Sequence, residues 1–124
     1  MKVAVIGAGS SYTPELINGF LERIDSLPLT ELWLMDILPE RLDIVGGFAQ
    51  RMVAAAGDPF AVHLTVDQRQ AMREARYVIT HLRVVDGELK KGEDVRMLAT
   101  GREYEVTELG VFAPRMKAQN KLHT

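Results

Sequence analysis

The sequence has no cysteine, which excludes disulfides, thiol chemistry and thiolate metal sites. Its three histidines, His63, His81 and His123, are too scattered to form a ligand cluster, so no metal site is expected in these 124 residues. No apolar run approaches the length needed to cross a membrane. Met1-Lys2 leads straight into an apolar stretch, without a separate leader and cleavage site. Charge of one sign is also scarce: the net charge is −2, which gives no reason to expect a nucleic-acid or anionic-membrane partner. Repeats and low-complexity segments are absent. Together these absences lead to the expectation of a cytoplasmic protein. Hydrophobic residues make up 47% and charged residues 26%, the balance of an ordinary globular chain with a real core.

The chain is organised around Lys2 to Tyr12 (KVAVIGAGSSY). Val3 to Ile6 are continuously apolar, as expected of a parallel strand covered on both faces. Gly7 then permits a tight turn out of the sheet, and Gly9 removes a Cβ where a phosphate would need to touch backbone. Ser10, Ser11 and Thr13 follow, and Pro14 stands where a helix begins, its missing N–H costing nothing there. Strand, glycine turn and helix start together describe a dinucleotide-phosphate site. The competing reading is a plain strand-to-helix turn. The full fingerprint has a third glycine, and position 12 holds Tyr. Either the helix sits further from the strand or Tyr12 has a task at the mouth of the pocket.

Further along, Thr13–Leu27 reads as a helix with an apolar face of Leu16, Ile17, Phe20, Leu21 and Ile24. Thr30–Ile37 reads as a second strand that ends on an acid. In a dinucleotide fold an acid there accepts hydrogen bonds from the adenosine ribose hydroxyls, which makes Asp36 a candidate. The alternative is that Asp36 caps the following helix. That helix spans Pro39–Ala56, with Gly46-Gly47 allowing close packing on the sheet. Ala61–Thr65 reads as a third strand, Gln68–Glu74 as a helix capped by Asp67, and Tyr77–Leu82 as a fourth strand. The order β-α-β-α-β-α-β is the first half of a doubly wound parallel sheet, an α/β fold of Rossmann-like type. Thr80, His81 and Arg83 fall at the ligand end of the fourth strand. His81 alone suits a hydrogen-bonded structural role, and Arg83 suits either a phosphate or an ion pair. The exposed edge of the fourth strand makes a homo-oligomer a live expectation. From Asp86 onward the pattern diverges. Val95–Ala99 reads as part of a helix, Gly101–Val111 as a strand, and Pro114–Thr124 as a basic, poorly ordered tail. The expected division is therefore 1–84 and a divergent extension, 85–124.

The run GAGSSYTPEL (7–16) resembles the N-terminus of glycoside hydrolase family four, most closely its 6-phospho-β-glucosidase branch. LTELWLMDI (29–37), AVHLTVDQR (61–69) and ARYVITHLRV (75–84) agree with it in order, so the resemblance covers residues 1 to 84. It implies an NAD-dependent hydrolase whose Rossmann domain precedes a larger substrate and oligomerisation domain. In that family NAD takes a hydride from C3 of the sugar and a divalent metal, usually manganese, helps to acidify the C2 proton. A tyrosine removes this proton, the aglycone leaves C1, water adds and the hydride returns. This route lies outside the two-carboxylate mechanism. By resemblance Gly7, Gly9, Ser10, Ser11 and Tyr12 match the cofactor loop and Asp36 the ribose acid. Arg83 falls near cofactor and sugar, and Arg96 matches a substrate-binding arginine. The substrate would be a phosphorylated disaccharide or an aryl glucoside. The family's later glycine-rich elements, its Cys and His metal ligands and its basic tyrosine have no counterpart here. The expectation is a cofactor half without catalytic residues, inactive alone. The alternatives are a stand-alone nucleotide-binding or regulatory module and a small NAD-dependent dehydrogenase of the lactate/malate type.

Overall fold

The computed structural model describes residues 1–82, 84–112 and 116–123. The chain separates into two units, Met1–His81 and Leu82–Thr124.

In Met1–His81 the elements alternate: β1 (Lys2–Ile6), α1 (Thr13–Glu22), β2 (Glu31–Met35), α2 (Pro39–Ala55), β3 (Ala61–Thr65), α3 (Gln68–Met72) and β4 (Tyr77–Thr80). The four strands form one parallel sheet in the order β3-β2-β1-β4. Register places Val5 beside Leu34 and Ile79, and Leu34 beside Leu64. Strand residues point alternately to opposite faces. Val3, Val5, Leu32 and Leu34 accordingly face a core completed by Ile17 of α1 and by Leu42, Ala49 and Val53 of α2. Ala4 and Met35 face the other way, against Ala71 of α3. On that second face Trp33 stacks on His63 with ring centroids 4.5 Å apart, and the Lys2 ammonium lies over the indole. The chain leaves β1 for β2 on one side and comes back to β4 on the other. Such a reversal opens a crevice at the C-terminal ends of the strands.

Boundaries differ from the sequence expectation where local chemistry intervenes. Helix α1 stops at Glu22 rather than Leu27, where the bonding tightens: Arg23 N and Ile24 N donate to carbonyls three residues back, Phe20 O and Leu21 O, and Ser26 N and its hydroxyl turn back to Arg23 O. Leu27 also precedes a proline, which disfavours helical backbone. Helix α3 ends at Met72 because Glu74 adopts φ 58, in the left-handed region.

In Leu82–Thr124 the elements are β5 (Glu88–Lys90), β6 (Asp94–Arg96), β7 (Glu103–Glu105), β8 (Leu109–Phe112), β9 (Met116–Gln119) and β10 (Lys121–His123). They pair antiparallel as β5 with β10, β6 with β7 and β8 with β9. Two expectations are corrected here. Val95–Ala99 is not helical: Val95 pairs with Tyr104 in the β6–β7 ladder, and Met97 O accepts the N–H groups of Thr100 and Gly101 as the chain turns. Gly101, at φ 69, makes that reversal possible. The basic segment after Pro114 contains strands rather than a poorly ordered tail, since β9 finds a partner in β8 and β10 one in β5. No helix among the described residues is long and apolar enough to cross a membrane.

Candidate functional site

The site is built at the C-terminal ends of β1 and β2. Strand β2 ends at Met35, whose carbonyl accepts from both Gly7 N and Ala8 N at 2.9 Å. Gly7 leaves the sheet at φ +82, and a Cβ there would approach His81 O to 3.1 Å. His81 in turn donates its backbone N–H to Ile6 O, and its Nδ1 lies 3.2 Å from Gly7 O. The expected structural role of His81 is thus visible: it fastens the turn to the end of β4.

Gly9 is required by close approach. Its N–H donates to Asp36 Oδ2 at 2.8 Å, and a Cβ on Gly9 would stand 2.7 Å from that oxygen and 2.9 Å from Arg41 Cβ. The other oxygen, Asp36 Oδ1, accepts from Leu38 N at 3.0 Å, just ahead of α2. Asp36 therefore pins the glycine turn and the entry to α2 at once. Asp36 does not cap α2, since it bonds the N–H of Leu38, the residue before the first helical turn; each carboxylate oxygen keeps a second lone pair for a further donor.

The remaining turn residues lead into α1. Ser10 N donates to Gly7 O and Thr13 N to Ser10 O, while Ser10 Oγ accepts from Tyr12 N at 3.3 Å. Thr13 is fully buried and its hydroxyl donates to Ala8 O at 2.8 Å. Tyr12 is the N-cap residue, Leu16 N donating to its carbonyl, and Pro14 lies in the first turn. Ser11 is exposed. The helix start, with its positive dipole end, is thus attached directly to the glycine turn.

Gly7, Gly9, Ser10, Ser11, Tyr12 and Asp36 are therefore brought together within Met1–His81. Arg83 lies outside the described residues. Arg96 belongs to Leu82–Thr124, where its Nε and Nη2 donate to Glu103 Oε1 at 3.0 and 2.6 Å. Two contributors were missed from sequence. Thr13 was noted only as a neighbour, although a small hydroxyl one place before a helical proline is suited to bonding back to the turn. Arg41 lies against Gly9, and its place in the first turn after Asp36 was the available signal. Among the described residues no group of three or more His, Asp or Glu side chains is arranged to hold a metal.

Met1–His81 has the layout of the first half of a Rossmann-type domain, and the chain resembles solved structures of that kind. The structure of a 6-phospho-beta glucosidase from Thermotoga maritima, with manganese, NAD+ and glucose-6-phosphate, matches with a TM-score of 0.62 and 39% identity. The match covers 68% of this chain and 20% of that one. A probable 6-phospho-beta-glucosidase of Bacillus subtilis is 54% identical over 86 residues, 68% of this chain and 20% of the relative. A relative of a second kind, elongation factor 4 of Bacillus pumilus, is 32% identical over 114 residues, 90% of this chain and 19% of that protein. The chain thus spans about a fifth of the length of the relatives it matches. The model of the family described as family 4 glycosyl hydrolase matches residues 2–106, most of the 124, and the chain belongs to that family.

Proposed function

We propose that Met1–His81 is the first half of an NAD site, in a protein whose whole length acts as a 6-phospho-β-glucosidase. The observation that carries this reading is the glycine turn itself. Its backbone is fastened to β2 by Met35 O and to α2 by Asp36, and its second glycine is too close to Asp36 to admit a Cβ. The turn stands at the C-terminal ends of β1 and β2 and leads directly into the start of α1, which suits a diphosphate, a ligand that needs close backbone approach and the N-terminal end of a helix. Ser10 and Ser11 would border the phosphates, Tyr12 the mouth of the pocket, and Asp36 would accept from the ribose hydroxyls with its remaining lone pairs. NAD bound there supplies hydride exchange with the sugar. These 124 residues bind and orient it. Arg83 and Arg96, which the resemblance matched to cofactor and substrate contacts, fall in Leu82–Thr124 and are not part of this half-site; the substrate of the whole protein would be a phosphorylated disaccharide or aryl glucoside. Hydrolysis, with manganese, then depends on residues beyond these, and the 124-residue chain has no glycosidase activity alone.

Calorimetric titration of the chain with NAD+ tests the reading. Saturable binding by the parent, abolished by Gly9→Val, is the expected result. Absence of binding by a parent chain with a folded circular dichroism spectrum contradicts the half-site. Hydrolysis of an aryl 6-phospho-glucoside by the purified chain contradicts the inactivity.

A second reading concerns Leu82–Thr124 alone: we infer that it derives from a module of the elongation factor 4 kind. A match over 90% of the chain necessarily takes in most of these residues.

A further inference from the structure

We propose that the chain joins two modules of separate ancestry, with the seam between β4 and β5, and that each is a separate cooperative folding unit. The ancestry of Leu82–Thr124 rests on the second reading above, and the folding claim rests on the structure.

The grammar of the fold changes once along the chain. Up to Thr80 every strand pairing is parallel and every strand-to-strand connection contains a helix. Parallel pairs need such crossovers, whereas antiparallel pairs need only turns. After His81 every described pairing is antiparallel, the strands are three or four residues long, and no helix occurs among the described residues. A doubly wound sheet that continued past β4 would require another crossover there.

Leu82–Thr124 also closes on itself. Its first strand, β5, pairs with its last, β10, with Leu89 opposite Leu122. Lys91 N donates to Asn120 O at 3.0 Å, and Glu88 ion-pairs with Lys90 along its own strand and with Lys121 across the ladder. Gly92 N donates to Val106 O, and Val106 N to Glu93 O, each at 2.8 Å, tying the β6–β7 ladder to the segment after β5. Leu109 of β8 is buried. A segment whose ends meet in one ladder is built like a module that can be inserted or transferred whole.

The glucosidase match leaves out about a third of the chain, a share comparable to that of Leu82–Thr124, whereas the elongation factor match must enter it. Both kinds of match overrun the seam, since the family 4 match reaches residue 106 and the elongation factor match extends back into Met1–His81. Similarity therefore does not locate the seam, and the change from parallel to antiparallel pairing places it.

The test uses the full chain and no ligand, so its outcome is independent of NAD binding. Hydrogen exchange is followed by mass spectrometry through a urea series for the parent, Gly46→Val and Leu109→Ala, with fluorescence of Trp33, the single tryptophan, as a second probe of Met1–His81. Gly46→Val should lower the urea midpoint of peptides within Met1–His81 and of the Trp33 signal, while peptides from residues 88–123 keep the parental midpoint. Leu109→Ala should do the reverse. If Gly46→Val leaves Met1–His81 unfolded, retained protection over 88–123 still supports the join, and the milder Gly46→Ala supplies the midpoint shift. Midpoints that move together in both variants would overturn the proposal. So would residues 88–106 following Met1–His81 alone, or an absence of protection over 88–123 in the parent.

Discussion

Asp36 illustrates how one side chain serves two elements. Its carboxylate takes one N–H from the glycine turn and one from the residue before α2, so the turn and the helix cannot move apart without stranding a charged acceptor. Both candidate roles of Asp36 could be written from its position at the end of an apolar strand. The bond that the folded chain adds, from Gly9 N–H, was not legible, because only the folded turn brings that backbone group near. Gly7 was readable in kind, as a turn residue, but the neighbour that a Cβ would crowd is His81 O, distant in sequence. Gly7→Ala should destabilise Met1–His81 by about 1–2 kcal/mol through the left-handed backbone alone. The Trp33 fluorescence midpoint in urea reads this, and an unchanged midpoint would mean that the turn relaxes freely.

Helix α2 carries two adjacent glycines that sequence treated alike and the structure separates. Gly46 faces β3, and a Cβ there would lie 2.5 Å from Leu64 Cδ2. Gly47 has only Arg51 Nη1, at 3.5 Å. Gly47→Ala should therefore stabilise by about 0.5–1 kcal/mol through helix propensity. Gly46→Ala loses that gain to overpacking of about 1–3 kcal/mol. Opposite signs of the two midpoint shifts are expected, and equal shifts would contradict the close packing. Helix α3 is short enough to depend on its ends. Asp67 Oδ1 accepts from Arg69 N and Gln70 N, as its position predicted, and Lys2 Nζ donates to Gln70 O and Arg73 O at the other end. Asp67→Ala should cost about 1 kcal/mol, read as a lower thermal midpoint of the Trp33 signal.

The short ladders of Leu82–Thr124 were poorly legible for a definable reason. Three-residue strands give too few alternations to separate period two from period 3.6, and β5 finds its partner in β10, far along the chain. Within that ladder the lysine ammonium groups of Lys121 and Lys90 hydrogen-bond the Glu88 carboxylate and hold it from 4.5 down to about 2. A carboxylate depressed in the folded state stabilises above its unfolded value, and that contribution is lost as pH falls from about 4.5 to about 2. Glu88 is exposed, so the effect is screened by salt. Glu88→Gln should flatten the acid-induced loss of exchange protection at residues 88–90 and 121–123 over that range. An unchanged acid profile would remove the triad from the account.

For the molecule as a whole, the apolar strands, the glycine turn and the proline-started helices made the α/β layout of Met1–His81 legible, because each signal is local. The sheet order β3-β2-β1-β4 leaves β4 hydrogen-bonded on one side only among the described strands. A strand with an unpaired side is a template for pairing with another chain. Sedimentation velocity should therefore show association that increases with protein concentration, and a strict monomer throughout would argue against self-pairing at this edge.

The central claim is that Met1–His81 holds NAD through its glycine turn, and hydrogen exchange of the full chain with and without saturating NAD+ tests it most directly. The account predicts slowed exchange in peptides spanning residues 7–16 and 36–42, with no change over 88–123. Unaltered exchange in the turn, or protection confined to 88–123, would contradict it.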